Sequence, residues 1–498
     1  MWPAAKALFD HLAALGNAIA LREGSRSLSY AQLLAEIEVR SQHLQQLGAR
    51  RIALALDNGI DWVLWDLATL HAGLVCVPVP GFFSTNQQVH VLDSASIDCL
   101  IGPENTLYSA LGFSASAAAS ATASAAGVLQ RPRAVVSELP VGTCKITYTS
   151  GTTGQPKGVC LDVATQLAVA HSLVQASASC QVERHLCVLP LATLLENIAG
   201  IYAPLLAGAQ IELMPMAQVG LLGASKFDLP RFLTALGQAQ PNSLILLPQL
   251  LLALVSAAER GLPVPDSLRF IAVGGGRVSS QLLQRADALG LPIFEGYGLS
   301  ECASVVCLNT PEQRRIGTVG QPLPHLQVRL GADQEVQVKG PRLLGYLGEP
   351  VTDEEWLGTG DLGHFEGPFL VLHGRKKHQF ITAFGRNVNP EWVEAELVQQ
   401  LPIAQAWLHG EVLPGNVAVL VPRFETTSDS QLAEAVATAN QSLPDYARVH
   451  HWLRAAQPFS SSNELATSNG RLRRNALFSH YQSAIEQLMA DQTCYGDA

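Results

Sequence analysis

The amino-acid sequence predicts an α/β fold in which helices cover a largely parallel sheet. Residues 52–56 form a compact apolar strand, an apolar helical stretch follows around residues 62–71, and residues 75–79 form the next strand. The same alternation continues through strands at residues 270–273 and 293–294. Strands that alternate with helices in this way build parallel sheets covered by helices, so we expect layered α/β subdomains.

A change of pattern after Gly317 predicts a second kind of structure. Short strand patterns follow at residues 328–330, 336–338 and 369–372. They indicate a β-rich subdomain that closes a large N-terminal domain of residues 1–373. We expect a smaller C-terminal α/β domain of residues 374–498.

Composition excludes several classes of protein. The 498 residues are 48% hydrophobic and carry a formal net charge of −10, without a Lys/Arg-rich stripe, which argues against nucleic-acid binding. The nine cysteines show no Cys-x-x-Cys pair and no zinc-like spacing, so we expect reduced thiols. The most apolar stretch, residues 244–258, is short for a membrane span and contains Pro248. With no signal-peptide pattern at the N-terminus, the sequence predicts a cytoplasmic protein without a membrane span.

The segment from Tyr148 to Gly158 has the residue types of a phosphate-binding loop between two strands. Glycines allow the backbone to approach a ligand, hydroxyls donate hydrogen bonds, and Lys157 adds a mobile positive charge. A Walker loop would instead place Gly-Lys-Ser/Thr at the start of a helix. The candidate triphosphate-binding residues are Thr149, Ser150, Gly151, Thr152, Thr153 and Gly154.

Three further turns carry groups that suit a nucleotide. The turn after strand 293–294 offers an aromatic ring at Tyr297 that can stack on a purine, and a carboxylate at Glu301 that can hold Mg²⁺. Two glycines at 275 and 276 expose backbone after strand 270–273. The tight turn at Thr359-Gly360-Asp361 presents a carboxylate that suits two ribose hydroxyls.

In this order the segments resemble the signatures of the adenylate-forming (ANL) superfamily, which includes acyl-CoA synthetases, peptide-synthetase adenylation domains and luciferases. The resemblance extends over essentially the whole chain. It implies an ANL fold, with a small C-terminal domain that moves against the large one.

The resemblance also implies roles for individual residues. Asp361 and Arg375 bind the ribose, and Lys377 is the hinge of the small domain. ATP is the nucleotide, with Mg²⁺ held by Thr149 and Glu301. The residues that this resemblance adds to the ATP site are Gly275, Gly276, Tyr297, Gly298 and Ser300.

The C-terminal segment 467–474 resembles the family's Thr-x-x-Gly-Lys-x-x-Arg motif, with Arg471 at the lysine position. The family's lysine bridges the substrate carboxylate and the α-phosphate. Arginine keeps the positive charge but replaces a compact ammonium with a planar fork. We expect activity to be retained, with Lys157, Arg471 and Glu301 as the catalytic residues.

The segment 189–197 resembles the family's Leu-Pro-Leu-x-His-x-x-Glu sequence beside the acyl pocket. Thr193 stands where histidine is usual, and Glu196 matches the long-chain branch. The length of the loop within residues 380–394 also resembles that branch. These features favour a fatty acid or another apolar carboxylic acid.

The resemblance implies an AMP-forming acid–thiol ligase. It would join ATP and a small-molecule carboxylic acid into an acyl-adenylate, then transfer the acyl group to a thiol. That thiol belongs to CoA or to the phosphopantetheine arm of an acyl carrier protein acting in trans. The alternatives left open are an aryl acid, a non-thiol acceptor, and a nucleotide-binding homologue with impaired ligase activity. The sequence does not indicate an oligomeric state.

Overall fold

A computed structural model of the protein describes residues 1–115, 127–132, 137–149, 156–223, 226–351, 354–467 and 470–493. The α-helices of these residues are numbered in chain order. They are α1 (Pro3–Ala14), α2 (Tyr30–Gln46), α3 (Ile60–Ala72), α4 (Thr85–Ser94), α5 (Thr106–Ala110), α6 (Val163–Ala176), α7 (Ala203–Ala207), α8 (Leu229–Ala239), α9 (Pro248–Glu259), α10 (Ser280–Ala288), α11 (Pro390–Val398), α12 (Asp429–Gln441) and α13 (Arg474–Thr493).

Two large sheets form the N-terminal part of the molecule. One sheet has nine strands. Its strands from Ile19–Glu23 to Ile293–Tyr297 in sheet order run parallel to one another. In sheet order its strands are β18 (Gln321–Pro322), β17 (Cys307–Leu308), β16 (Ile293–Tyr297), β15 (Phe270–Val273), β14 (Ser243–Leu246), β10 (Arg184–Leu186), β11 (Gln210–Glu212), β1 (Ile19–Glu23) and β2 (Arg26–Ser29).

The second large sheet contains the phosphate-loop strands. In sheet order its eight strands are β21 (Gly345–Tyr346), β9 (Lys157–Leu161), β8 (Lys145–Thr149), β4 (Val75–Pro78), β3 (Arg51–Leu54), β5 (Cys99–Gly102), β7 (Gly127–Gln130) and β6 (Ser114–Ala115). Its central strands β3, β4, β5 and β8 are parallel, and they are buried along nearly their whole length. Near-continuous apolar strands of this kind are expected where helices cover both faces of a parallel sheet.

Smaller sheets complete the molecule. Their strands are β12 (Leu221–Leu222) with β13 (Lys226–Phe227); β19 (Gln327–Leu330), β20 (Glu335–Lys339), β22 (Leu357–Glu366) and β23 (Phe369–Arg375); β24 (Phe380–Ile381) with β25 (Asn387–Val388); and β26 (Ile403–His409), β27 (Asn416–Pro422) and β28 (Val449–Arg454). The four-stranded group is the β-rich subdomain expected after Gly317. The last three strands, with α11 to α13, form the C-terminal α/β unit.

Local sequence explains where the helices near the site begin. Ser279 caps α10 by accepting a hydrogen bond from the Gln281 amide at 3.2 Å, and Asn389 caps α11 by accepting one from the Glu391 amide at 3.0 Å. Pro390 occupies the first turn of α11, where its missing N–H costs nothing. Both helices therefore begin at fixed points next to the functional residues described below.

The predicted fold class is confirmed, and so are the two strands on either side of the phosphate loop. The apolar stretch 244–258 divides into strand β14 and helix α9. Among the described residues, no helix combines the length and the apolar character needed to cross a membrane. The boundary between residues 373 and 374 falls near the end of β23 and stays a prediction.

Candidate active site

The phosphate-loop strands bring Thr149 and Lys157 directly opposite each other. Thr149, the last residue of β8, pairs with Lys157, the first residue of β9. Between them, the predicted residues Ser150, Gly151, Thr152, Thr153 and Gly154 lie outside the described residues. The structure therefore fixes both ends of the loop, and the roles of its interior residues stay predictions.

A buried ion pair lies beneath the first of these strands. Lys145, which begins β8, extends its ammonium to the Asp66 carboxylate of α3 at 2.9 Å. The Tyr202 hydroxyl donates to the same carboxylate at 2.9 Å, and the Asn197 side chain contacts both charged groups. Removing one member of such a buried pair would leave an uncompensated charge, so the network fixes the strand that leads into the phosphate loop.

Tyr346 connects Lys157 with Glu301. Its hydroxyl donates to the Glu301 carboxylate at 2.8 Å, and the Lys157 ammonium lies 5.3 Å from the centre of its ring. Lys157 also contacts the exposed carboxylate of Glu349 at 2.8 Å. Burial is the main cause that raises the pKa of Tyr346, so its phenol stays protonated and able to donate. The sequence reasoning missed this tyrosine, because no motif identified the strand that carries it.

Asp361 contacts two other predicted site residues, Tyr297 and Arg375. The Tyr297 hydroxyl donates to one oxygen of the Asp361 carboxylate at 2.6 Å, and the Arg375 guanidinium contacts the other at 2.7 Å. Asp361 lies on β22 directly across from Arg375 on β23, and Tyr297 ends β16. The tight turn predicted at Thr359-Gly360-Asp361 is therefore wrong, because strand pairing continues through these residues. Burial raises the pKa of the Asp361 carboxyl, while Arg375 and Tyr297 lower it. We call these three residues the Asp361 clamp.

The carboxylate of the clamp has acceptor capacity for the predicted ribose contacts. Each carboxylate oxygen can accept more than one hydrogen bond, so Asp361 can bind hydroxyls while it holds Tyr297 and Arg375. The position of Tyr297 is fixed through its hydroxyl. Its stacking on a purine stays a prediction, and so does the binding of ribose by Asp361 and Arg375.

Glycines at the ends of β15 and β16 are required by the backbone. Gly275 has a φ of +77°, which favours glycine. At Gly298 a Cβ would lie 1.5 Å from the Ser304 carbonyl oxygen, so no side chain fits there. Gly276 is exposed beside this turn, and Ser300 begins a short 3₁₀-helix, Ser300–Cys302. These turns leave backbone accessible at the carboxyl ends of parallel strands, where open α/β sheets bind their ligands.

Arg471 reaches this cleft from the C-terminal unit. It is exposed to solvent, although neighbouring protein partly desolvates its guanidinium. This desolvation and the charge of Arg375 lower the pKa of Arg471, while the carboxylates of Glu301 and Asp361 raise it. The Thr467 hydroxyl accepts a hydrogen bond from the Arg471 amide at 3.0 Å and fixes the turn. The predicted cation is thus brought to the predicted nucleotide residues.

Glu391 is a further carboxylate near Arg471 that the motif reasoning did not single out. It accepts a hydrogen bond from His378 Nδ1 at 2.7 Å. Burial raises the pKa of Glu391, but His378 and Arg474 outweigh burial and lower it overall. Lys377 lies close to these groups, and desolvation and the charges of Arg375 and Arg471 lower its pKa. The predicted hinge residue therefore belongs to the same cluster of charges.

Direct contacts join the C-terminal unit to the large domain. The Ser279 hydroxyl donates to the Glu396 carboxylate of α11 at 3.0 Å, and the Gln399 and Gln281 side chains are hydrogen bonded at 3.2 Å. Within the C-terminal unit, Arg474 makes two hydrogen bonds, of 2.8 and 2.6 Å, to the Glu394 carboxylate. These bonds tie α11 to the start of α13 and so position the segment that carries Arg471.

The predicted acyl-pocket segment is held by Asn58. Its side chain donates to the Leu189 carbonyl and accepts from the Leu191 amide, both at 2.8 Å. Thr193 is half-buried and donates to the Pro190 carbonyl at 2.7 Å. Glu196 is fully buried and faces His185 and Cys187 in the protein interior. The assignment of Thr193 and Glu196 to an acyl pocket stays a prediction.

The sequence matches two profiles of one enzyme family. The AMP-binding enzyme profile matches residues 8–347, and the profile of the AMP-binding enzyme C-terminal domain matches residues 377–493. The chain belongs to the AMP-binding enzyme family. This membership confirms the resemblance stated from the sequence, the expected adenine nucleotide and the expected class of AMP-forming ligase.

Similar sequences and structures agree with this family. The 2-succinylbenzoate–CoA ligase of Bacillus mycoides is 27% identical over 417 residues, which cover 77% of this chain and 80% of that protein. The o-succinylbenzoate CoA synthetase of Bacillus subtilis, solved with its acyl-adenylate intermediate, has a TM-score of 0.76 at 22% identity and covers 94% of this chain and 97% of its own. An anthranilate CoA ligase in complex with anthranoyl-AMP has a TM-score of 0.77 at 17% identity, with 95% and 96% covered.

The two solved structures show that this AMP-binding enzyme shares their fold. The Bacillus subtilis synthetase has also been solved with ATP and a magnesium ion, at a TM-score of 0.75 and 21% identity, with 94% of this chain and 98% of that chain covered.

The Asp361 clamp gives a first testable prediction. In Asp361→Ala we expect the affinity for ATP to fall by about one to two decades, because charged hydrogen bonds contribute about 1.5–3 kcal/mol each. Calorimetric titration with ATP measures this change. The control is Glu366→Ala, since Glu366 lies on the same strand with a side chain that is 49% exposed. Equal ATP affinity in both folded variants would remove Asp361 from the nucleotide site.

Proposed function

We propose that this AMP-binding enzyme activates an aryl carboxylic acid with ATP and transfers the acyl group to CoA. The observation that carries the proposal is the convergence of Arg471 with Glu301 and the Asp361 clamp. A cation from the C-terminal unit reaches a cleft lined by the predicted ribose and metal residues of the large domain. Such an arrangement suits a reaction between a carboxylate and the α-phosphate of a nucleotide.

In the first half-reaction a carboxylate oxygen attacks the α-phosphorus of ATP. A new oxygen–phosphorus bond forms. The bond between the α-phosphorus and the oxygen that bridges it to the β-phosphate breaks, and pyrophosphate leaves with that electron pair. Lys157 and Arg471 stabilise the negative charge that spreads over the phosphate oxygens in the transition state. No nucleophilic side chain is needed, so catalysis depends on positioning and on charge.

Thr149 and Glu301 fit the predicted magnesium site. A hydroxyl at the end of β8 and a carboxylate beside the phosphate-loop strands are oxygen ligands of the kind Mg²⁺ prefers, together with shared phosphate oxygens. When bound, Mg²⁺ neutralises phosphate charge and orients the triphosphate. The Tyr346 hydroxyl holds the Glu301 carboxylate in place for this role.

In the second half-reaction a thiol sulfur attacks the acyl carbonyl carbon, and AMP leaves. The small domain, residues 374–498, turns about Lys377 to admit the thiol, which lets one site serve two reactions. The similar sequences named above are CoA ligases, which favours CoA as the acceptor. The phosphopantetheine arm of a carrier protein would present the same kind of thiol. Comparing thioester formation with CoA and with a carrier protein distinguishes the two acceptors.

Two observations favour an aryl acid over the fatty acid that the sequence suggested. The similar proteins act on 2-succinylbenzoate and anthranilate, which are aryl acids. The segment that begins at Glu196 forms a π-helix, Glu196–Tyr202, with Ile198 and Ile201 fully buried in the core. Tyr202 in this helix is tied to Asp66. A tightly packed helix of this kind does not favour a tunnel for a long acyl chain.

A substrate panel tests the proposed function. The protein is incubated with Mg·ATP, CoA and single acids, including o-succinylbenzoate, anthranilate, benzoate and fatty acids of several lengths. Pyrophosphate release gives the rate, and mass spectrometry identifies the product. We expect AMP, pyrophosphate and an aryl-CoA, with at least one aryl acid preferred in kcat/KM. Faster turnover of fatty acids would overturn the aryl assignment, and absence of acid-dependent pyrophosphate release would overturn the ligase assignment.

Arg471 gives a prediction specific to the first half-reaction. Arg471→Ala should slow adenylate formation by about 100- to 1000-fold, since loss of one preorganised donor in a transition state costs about 2.7–4 kcal/mol. Arg471→Lys should retain activity, because it keeps the charge.

Single-turnover pyrophosphate release measures the effect of these changes. Arg473→Ala, in the same segment, is the matched control. Thioester formation from a supplied acyl-adenylate should change little in any of the three variants. A wild-type rate of adenylation in Arg471→Ala would show that this arginine does not take part in adenylate formation.

The hinge gives a prediction that separates the two half-reactions. Lys377→Pro fixes φ and removes an N–H, so it should restrict rotation of the small domain. We expect pyrophosphate release in a single turnover to persist while thioester formation collapses. Lys377→Ala keeps backbone freedom and serves as the control. Equal loss of both steps in the proline variant would show that residue 377 is not the hinge.

A further inference from the structure

A buried group of three metal-ligand side chains lies between β10 and the π-helix. It consists of His185 on β10, Cys187 just after that strand, and Glu196 at the start of the helix. One ligand atom from each residue lies within 4.8 Å of the other two. We propose that His185, Cys187 and Glu196 bind one transition-metal ion of the Zn²⁺ type. This group is not used in the proposed adenylation chemistry.

Polar atoms of this group lack hydrogen-bond partners within the described part of the chain. His185 Nε2 and both carboxylate oxygens of Glu196 are in this state, although the two residues are 3% and 0% exposed. Nε2 lies 3.6 Å from the nearer oxygen, which is longer than a good hydrogen bond. Buried polar atoms are nearly always satisfied, so three such atoms facing one another indicate a missing partner. A cation is a partner that all three can share.

The histidine is oriented as a metal ligand would be. The second ring nitrogen, Nδ1, is 2.8 Å from the Ser243 hydroxyl on β14. Metal-binding histidines commonly use one ring nitrogen for an outer hydrogen bond, which fixes the ring and directs the other nitrogen at the ion. The Ser243 contact leaves Nε2 directed at Glu196.

Gly200 lies directly beside two of the proposed ligands, where a larger residue would clash with them. A Cβ on Gly200 would lie 2.8 Å from Glu196 Oε1 and 3.0 Å from His185 Nε2. Gly200 lies in a π-helix, a rare conformation that is frequent at functional sites. With metal–ligand bonds of about 2.0–2.3 Å, tetrahedral geometry puts ligand atoms about 3.3–3.8 Å apart. The observed 3.6 Å between Nε2 and Oε1 agrees with this separation.

Charge balance selects the kind of ion. A Cys187 thiolate and a Glu196 carboxylate would together neutralise a divalent cation, which suits a buried position. A set of one nitrogen, one sulfur and one oxygen suits Zn²⁺, whereas Mg²⁺ prefers oxygen alone. The proposed site is therefore chemically distinct from the magnesium site at Glu301.

The ion would tie the end of β10 to the segment that precedes the helix. Thr193 and the Leu189–Leu191 contacts to Asn58 belong to that segment. A metal at this position would hold the predicted acyl-pocket segment from inside the protein.

Metal analysis of the full-length protein tests this proposal. The chelator-treated protein is incubated with one equivalent of Zn²⁺, passed through a desalting column and analysed for metal by mass spectrometry. We expect about one Zn²⁺ per chain and a higher Tm than for the metal-free protein, because an ion that binds the folded state stabilises it. With Co²⁺ instead, we expect a thiolate-to-cobalt charge-transfer band. A folded wild-type protein that retains no Zn²⁺ and shows no such band would overturn the proposal.

Variants assign the ligands. Cys187→Ser should abolish the charge-transfer band, and Glu196→Gln should lower Zn²⁺ retention at least tenfold, a typical effect of disturbing a site. Cys99→Ser is the control, since Cys99 is equally buried but lies on β5. A band that persists in Cys187→Ser, or that disappears in Cys99→Ser, would contradict the assignment. The wild-type measurements remain decisive if a variant does not fold.

Discussion

The placement of the site depends on one buried carboxylate, that of Asp361. It accepts a hydrogen bond from Tyr297 at the end of a central parallel strand and contacts Arg375 at the end of the β-rich subdomain. Two parts of the molecule thus meet at a single group, and Arg471 of the C-terminal unit is close enough to shift its pKa. Burial raises the pKa of this carboxyl overall, and the charges of Arg375 and Arg471 offset part of that shift in favour of the charged form.

Pairs of opposite charges also fix the segments on either side of the Asp361 clamp. Lys145 and Asp66 fix the strand that leads into the phosphate loop, and Arg474 and Glu394 fix the segment that carries Arg471. Each pair is buried or nearly so, and a buried pair is valuable for the geometry it imposes more than for its net stability. For a reaction without a nucleophilic side chain, catalysis consists largely of such placement. In the proposed reaction, the charged groups around the cleft therefore contribute to both structure and chemistry.

Local sequence predicted the parts of the site that are formed by single segments. The two strands on either side of the phosphate loop, β8 and β9, depend on residues next to one another, so pattern and residue type were sufficient. The tight turn predicted at Thr359-Gly360-Asp361 was wrong, because pairing with the neighbouring strands continues β22 through these residues, with Gly360 at a φ of +72°. Pairs distant in sequence were not predictable in this way. Tyr346 and Glu301 are 45 residues apart, and Lys145 and Asp66 are 79 apart, so only the folded chain brings them together. Likewise, spacing alone gave no sign of a metal site, although His185, Cys187 and Glu196 meet in the interior.

In the proposed reaction, this site joins a carboxylate oxygen to the α-phosphorus of ATP. Transfer of an oxygen isotope from the acid to AMP tests whether this bond forms. An acid that the enzyme turns over is labelled with ¹⁸O in both carboxylate oxygens and incubated with Mg·ATP and CoA, and the AMP is analysed by mass spectrometry. Attack through the carboxylate followed by thiolysis at the carbonyl predicts one ¹⁸O atom in each AMP formed. Unlabelled AMP formed together with acyl-CoA would contradict the account, because the acyl-adenylate would then not lie on the reaction path.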